Sequence, residues 1–264
     1  MLVDRVQHGE VPELAIFADV TDPERKDPGE WPVTYQYLRE VVMPYCDQHG
    51  IEFDWLDTTR SPIRGHRSLF GYFAAMRLMP SRMSRLCTSA AKVERVTDEL
   101  IQRYPTRPVE VWVGFEAGEE IRLKRDPHAA GVVGLAGNWR VNRFPLMERN
   151  LCRCRCEDVL KAAGLPVPPG SACMLCPYST RGDFKRLEHQ EPEAFAFGER
   201  MEDNCQRTKK NDKVMRYGYE KGDGTDPPLR LWVEKPYTPR VMPCEVCGRP
   251  ERARKNVGCD YIAA

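Results

Sequence analysis

The sequence predicts an α/β fold built on a parallel sheet over residues 1–180, followed by a small, cysteine-rich and mostly irregular region over 181–264. Short apolar runs of strand length recur, and segments with helical spacing alternate with them. Towards the carboxyl end both periods fade while pairs of cysteines persist.

The first apolar run, Leu14-Ala15-Ile16-Phe17-Ala18-Asp19, ends in a carboxylate. It reads as a buried parallel strand that delivers Asp19 to the carboxyl edge of the sheet, where open α/β sheets bind their ligands. After a polar loop rich in Pro, Asp and Glu, residues 31–50 place apolar side chains at helical spacing, and Gly50 stands where a helix C-cap is expected. Residues 51–56 read as the next strand, completing a β-α-β unit. Residues 89–104 read as a second helix and 109–115, Val-Glu-Val-Trp-Val-Gly-Phe, as a further buried strand. A helix over 157–163 is stopped by Gly164, and the Pro-rich stretch 165–170 leads into a cysteine turn. Beyond Gly182 the pattern weakens into charged helices and then loops. At the other end, residues 1–8 read as the second half of a helix capped by Gly9, and a doubly wound sheet ordinarily places a strand and a tight loop before such a helix.

Composition narrows the function. The 40 basic and 39 acidic side chains nearly cancel, which argues against a uniformly cationic nucleic-acid surface. No apolar run approaches the roughly 20 residues of a membrane span, and no signal-peptide pattern opens the chain, so a soluble cytoplasmic protein without a membrane partner is expected. In that compartment the eleven cysteines are expected to be metal ligands or working thiols rather than disulfides. The sequence leaves the oligomeric state open.

Cys173-Met-Leu-Cys176-Pro177 is a C-x-x-C turn, a spacing at which two thiolates close on one tetrahedral zinc or one corner of an iron–sulfur cluster. A redox pair or two buried apolar thiols are the alternatives. As a metal site it needs two more ligands, for which Cys87 and Cys156 are the candidates. Cys244-Glu-Val-Cys247-Gly248 is a second knuckle, with Cys205 or Cys259 to complete it, and a metal-free tail is its alternative. In Cys152-Arg-Cys154-Arg-Cys156 thiols alternate with guanidinium groups, which lower a thiol pKa, but the simpler reading is one ligand and two incidental cysteines. Glu116, Glu119, Glu120 and Arg122 follow the strand that ends at Phe115 and are placed to meet a ligand or to be solvated. The basic run from Arg207 to Lys213 is a possible phosphate-backbone contact for nucleic acid, or a solvated face.

In order and spacing, several stretches resemble the PAPS reductase-like branch of the PP-loop, adenine nucleotide alpha hydrolase superfamily. They are Ala15-Ile-Phe-Ala-Asp19, the helix opened by Glu30-Trp-Pro-Val-Thr-Tyr-Gln-Tyr-Leu38, Leu86-Cys-Thr88, Val113-Gly-Phe-Glu-Ala-Gly-Glu-Glu-Ile-Arg122, Phe144-Pro-Leu-Met147 and Ser171-Ala-Cys-Met-Leu-Cys-Pro177. The resemblance implies a Rossmann-like fold binding ATP or PAPS, and adenine-nucleotide-dependent sulfur reduction, sulfur transfer or adenylyl transfer. By matching position it implies that Phe17, Ala18 and Asp19 line the adenosine pocket and that Glu120 and Arg122 face the nucleotide or substrate. It also implies that Cys87, Cys156, Cys173 and Cys176 gather zinc or an iron–sulfur cluster. The sequence departs from the family in having no Ser-Gly-Gly-x-Asp-Ser-type phosphate loop and no Glu-Cys-Gly-type tail. Either the reading frame extends upstream of Met1 through a strand and loop, or the chain is naturally short. A non-catalytic nucleotide-fold scaffold, or a nucleic-acid-binding subunit stabilised by metal, is the competing expectation.

Overall fold

The computed structural model describes residues 1–24, 27–80, 86–121, 132–134, 137–170, 172–206, 229–238 and 241–252. Helix α1 (Leu2–Gln7) precedes strand β1 (Leu14–Ala18). Helix α2 (Pro32–Tyr37) continues through a π-helical turn (Leu38–Val42) into α3 (Met43–Gln48), and β2 (Glu52–Leu56) follows. Pro32 starts this helix at a position where a missing N–H costs nothing. Pro44, inside it, cannot donate to the preceding turn, and the π-helical turn lies directly ahead of it. Gly50 ends the run with φ +68°, a conformation that glycine adopts without a Cβ clash.

β1 and β2 pair in parallel, from Leu14 opposite Glu52 to Ala18 opposite Leu56. The predicted β-α-β unit is therefore present. Helix α4 (Leu69–Ala75) is capped by Ser68, whose hydroxyl accepts from Gly71 N–H at 2.9 Å. A longer helical stretch then joins α5 (Leu86–Thr88), a π-helical turn (Ser89–Glu94) and α6 (Arg95–Arg103). β3 (Val109–Trp112) pairs in parallel with β5 (Gly137–Arg143), and β4 (Val132–Gly134) adds to β5 antiparallel. The predicted single parallel sheet is thus realised as short parallel pairs in separate sheets, with one antiparallel strand. β3 stops three residues short of the predicted Phe115, because Phe115 N–H turns back onto Val113 O at 2.9 Å.

Helices α7 (Pro145–Glu148), α8 (Arg153–Ala162), α9 (Arg181–Gln190), α10 (Pro192–Gln206) and α11 (Leu229–Glu234) lead to a hairpin of β6 (Val241–Pro243) and β7 (Pro250–Arg252). The main core unites both sides of residue 180. Val20, Trp31, Phe70 and Phe73 pack in one cluster with Leu175, Phe184, Phe195 and Trp232. Burying aromatic and aliphatic side chains of this size stabilises by about 1.5–3 kcal/mol each, so α9–α11 are bound to the body through this shared core. Among the described residues no helix is long and apolar enough to cross a membrane.

Candidate metal centre

The four sulfur atoms of Cys152, Cys154, Cys244 and Cys247 all lie within 4.8 Å of one another. Two come from the start of α8 and two from the turn of the β6–β7 hairpin. Helix α8 begins four residues earlier than the sequence pattern suggests, with Cys152 as its N-cap, so Cys152 and Cys154 are presented at the first turn. In the hairpin, Cys244 N–H donates to Arg249 O at 2.7 Å and Gly248 N–H to Cys244 O at 2.8 Å. Gly248 has φ +74°, which closes the turn and brings both sulfurs to one side.

Four thiols are the donor set of structural zinc and of iron–sulfur clusters. A tetrahedral ion with Zn–S bonds of 2.3 Å needs sulfurs about 3.8 Å apart, which this group reaches with small movements. Its electrostatics already favour negative charge at one corner. Cys247 is held down to about 6, first by the N–H of Arg249 and then by hydrogen bonds from the other three thiols. Burial pushes Cys154 up to about 12, and the neighbouring Cys247 and Cys244 reinforce this. Burial also raises Cys152, against the opposing N–H of Arg155 in the first turn of α8. A bound cation would relieve this crowding, since thiolates become the stable form on the metal. Outside the sulfur group, Arg249 pairs with Asp158 of α8, with Nη1 and Oδ1 3.0 Å apart.

The partners expected for Cys244 and Cys247 were Cys205 or Cys259. Cys205 is instead 2 % exposed inside the main core, and Cys259 lies outside the described residues. The true partners, Cys152 and Cys154, are the pair that the simplest reading left incidental. A C-x-C opening a helix beside a C-x-x-C-G turn was the available signal, but nothing local says that the two meet.

The other predicted quartet does not assemble. Cys87 lies near enough to Cys173 and Cys176 for its charge to act on both, and Cys176 acts on Cys173 in the same way. Cys156 points elsewhere, towards the amino group of Met1, Glu116 and Cys152, because the early start of α8 turns it to the side of α1. Burial pushes Cys156 and Cys176 each up to about 11, and drives Cys173 well above the ordinary thiol range. Among the described residues the sulfurs of Cys87, Cys173 and Cys176 do not form a set within 4.8 Å. A buried carboxylate stands beside them. Glu30, 3 % exposed, accepts from Cys173 Sγ at 3.6 Å and from Lys92 Nζ at 3.1 Å on Oε1, while its Oε2 has no hydrogen-bond partner among the described residues.

This second group lies at the carboxyl ends of β1 and β2. One turn beyond Lys92, Arg95 donates to the carbonyls of Leu56 and Asp57, both at 2.9 Å, and to that of Asp19. Asp19 itself is 8 % exposed and heavily engaged. It accepts from Thr21 N–H at 3.0 Å, Tyr35 hydroxyl at 2.9 Å and Trp55 Nε1 at 3.0 Å. The carboxylate therefore organises the strand ends. Phe17 stacks edge-on against Trp55, with ring centres 5.1 Å apart, and Ala18 closes β1 beside it. Glu120 is exposed and accepts from Gly118 N–H at 2.9 Å. Arg122 and the basic run 207–213 lie outside the described residues.

No protein-family model, no curated protein and no solved structure matches the chain.

Proposed function

We propose that the chain is a metal-holding α/β protein whose four-thiol centre fixes the carboxyl-terminal hairpin to α8. The convergence of Cys152, Cys154, Cys244 and Cys247 carries this reading. All four positions are filled by protein, which is the pattern of a structural site rather than a catalytic one with an open position, so zinc is the ion expected. Elemental analysis of the purified chain tests it. One zinc per chain, lost in Cys152→Ser and Cys244→Ser but kept in Cys205→Ser, supports the centre. A metal-free chain with its hairpin still docked sinks it.

A second reading concerns chemistry, and it rests on the thiols with Glu30 and Lys92 at the carboxyl ends of β1 and β2. We infer that this edge, where α/β sheets bind ligands, is the place for PAPS reductase-like, adenine-nucleotide-dependent sulfur or adenylyl transfer. Titration calorimetry with ATP and with PAPS is the check, using Glu30→Gln and Cys173→Ser as local probes. Binding that weakens in both variants supports an enzyme. Silence from both nucleotides favours the scaffold alternative, and salt-sensitive binding to DNA or RNA would make it the nucleic-acid-binding kind.

A further inference from the structure

Two strand edges face one another across an apolar cleft. Among the described residues β1 has β2 as its only partner, and β3 has β5. The ladders fix where the remaining backbone groups point. Glu52 N–H donates to Glu13 O and Asp19 N–H to Leu56 O, both at 3.0 Å, so the odd-numbered residues of β1 face β2. Alternation turns the N–H and C=O of Leu14 and Ile16 the other way. On β3, Val113 N–H donates to Arg143 O at 2.9 Å, so Glu110 and Trp112 direct theirs away from β5.

Both edges border a cavity of about 500 Å³, lined by Leu14, Ala15, Ile16, Val109 and Val111, with Leu100 of α6 among its walls. Arg107, just ahead of β3, pairs with Glu13, just ahead of β1, with Nη1 and Oε1 3.3 Å apart. The two strands therefore start at one end and run the same way. Backbone donors and acceptors in such an apolar setting are nearly always paired in folded proteins.

We propose that this cleft seats one further β-strand, parallel to β1 and β3 and leading directly into α1, which joins the two parallel pairs into one continuous sheet. Position and direction both point to a segment attached ahead of Met1. Met1 and Leu2 line the cleft, and the Met1 amino group lies beside Cys156, which also faces Glu116, beyond the carboxyl end of β3. A strand running with β1 and β3 leaves the cleft where α1 begins. Strand, α1 and β1 then repeat the crossover made by β1, α2–α3 and β2. β1 has five residues and β3 four, so the occupant is an extended segment of similar length. It is apolar on both faces, as a central strand between helices must be.

This inference is independent of both thiol groups, and backbone amide exchange reads it without metal or nucleotide. In the 264-residue chain, Leu14 and Ile16 amides should exchange at least tenfold faster than those of Ala15 and Phe17. Equal protection would show that the cleft is closed and overturn the proposal. Two extended proteins complete the test. One carries, ahead of Met1, five alternating valines and isoleucines and an Asp-Gly turn, and the other carries the same segment with proline at alternate strand positions. The first should slow exchange at Leu14, Ile16, Glu110 and Trp112 at least tenfold, while the proline version leaves it unchanged. Identical exchange in the two extended proteins overturns the proposal.

Discussion

The two thiol groups differ in what stands among the sulfurs. At the hairpin, four cysteines face one another, and Arg249, paired with Asp158, also reaches Cys247. At the carboxyl ends of β1 and β2, Cys87, Cys173 and Cys176 share their space with a buried carboxylate and a lysine ammonium. The first group is a donor set that could hold a metal, and under the proposed function metal binding and docking of the hairpin are one event. The second already holds a cation, Lys92 on Glu30, and its geometry is maintained by hydrogen bonds and the adjacent core. Equal-looking C-x-x-C turns therefore stand in different surroundings, one among thiols and the other beside a buried ion pair.

Removing the metal is the sharpest way to break the comparison. Zinc stabilises small thiolate sites by about 10–16 kcal/mol relative to the unfolded peptide, so chelation or Cys244→Ser should release the hairpin altogether. Amide exchange over 241–252 should rise to that of open chain while α9 and α10 stay protected. Cys173→Ser should leave both zinc content and hairpin protection unchanged. If Cys173→Ser removes the zinc, the two groups are not separate.

Next in size is the charge pair in the second group. Lys92→Met leaves the Glu30 carboxylate inside the protein without its cation; truncating a buried pair costs about 3–5 kcal/mol. The exposed lysine stem reduces this to roughly 1–3 kcal/mol by urea unfolding. Adding Glu30→Gln should restore part of the loss, because the amide needs no cation, and a double variant no better than Lys92→Met would remove the ion-pair account. Tyr35→Phe, which deletes one of the hydrogen bonds to Asp19, is expected to cost about 1 kcal/mol in the same assay. The smallest change is Arg249→Ala. Its pair with Asp158 and its contact with Cys247 are both at the water-exposed surface, so melting temperature and zinc content should both hold, whereas a released hairpin would move the clamp from the sulfurs to the arginine.

Local structure was largely legible in the sequence. The periodicity located the β1, α2–α3 and β2 unit to within a residue or two at each end, and Gly50 and Gly164 marked helix ends where both adopt positive φ. The start of α8 was not legible, because Arg and Cys alternate there without an apolar period to announce a helix. The same missing signal hides the four-sulfur group. With Cys152 as the N-cap of α8, Cys154 turns towards the hairpin and Cys156 towards α1, so a rotation of the first helical turn exchanges which thiol joins the four-sulfur group.

By itself the sequence determined the alternation of strands and helices, the two C-x-x-C turns and the acidic end of β1, because each depends on side chains within one turn or one strand of each other. Tertiary structure decided which cysteines meet, that Glu30 and Lys92 stand among three of them, and that β1 and β3 face each other across a cleft instead of pairing. These are contacts between residues far apart in the chain. They arise only when helices and strands are packed against a common core, and no local spacing encodes that packing.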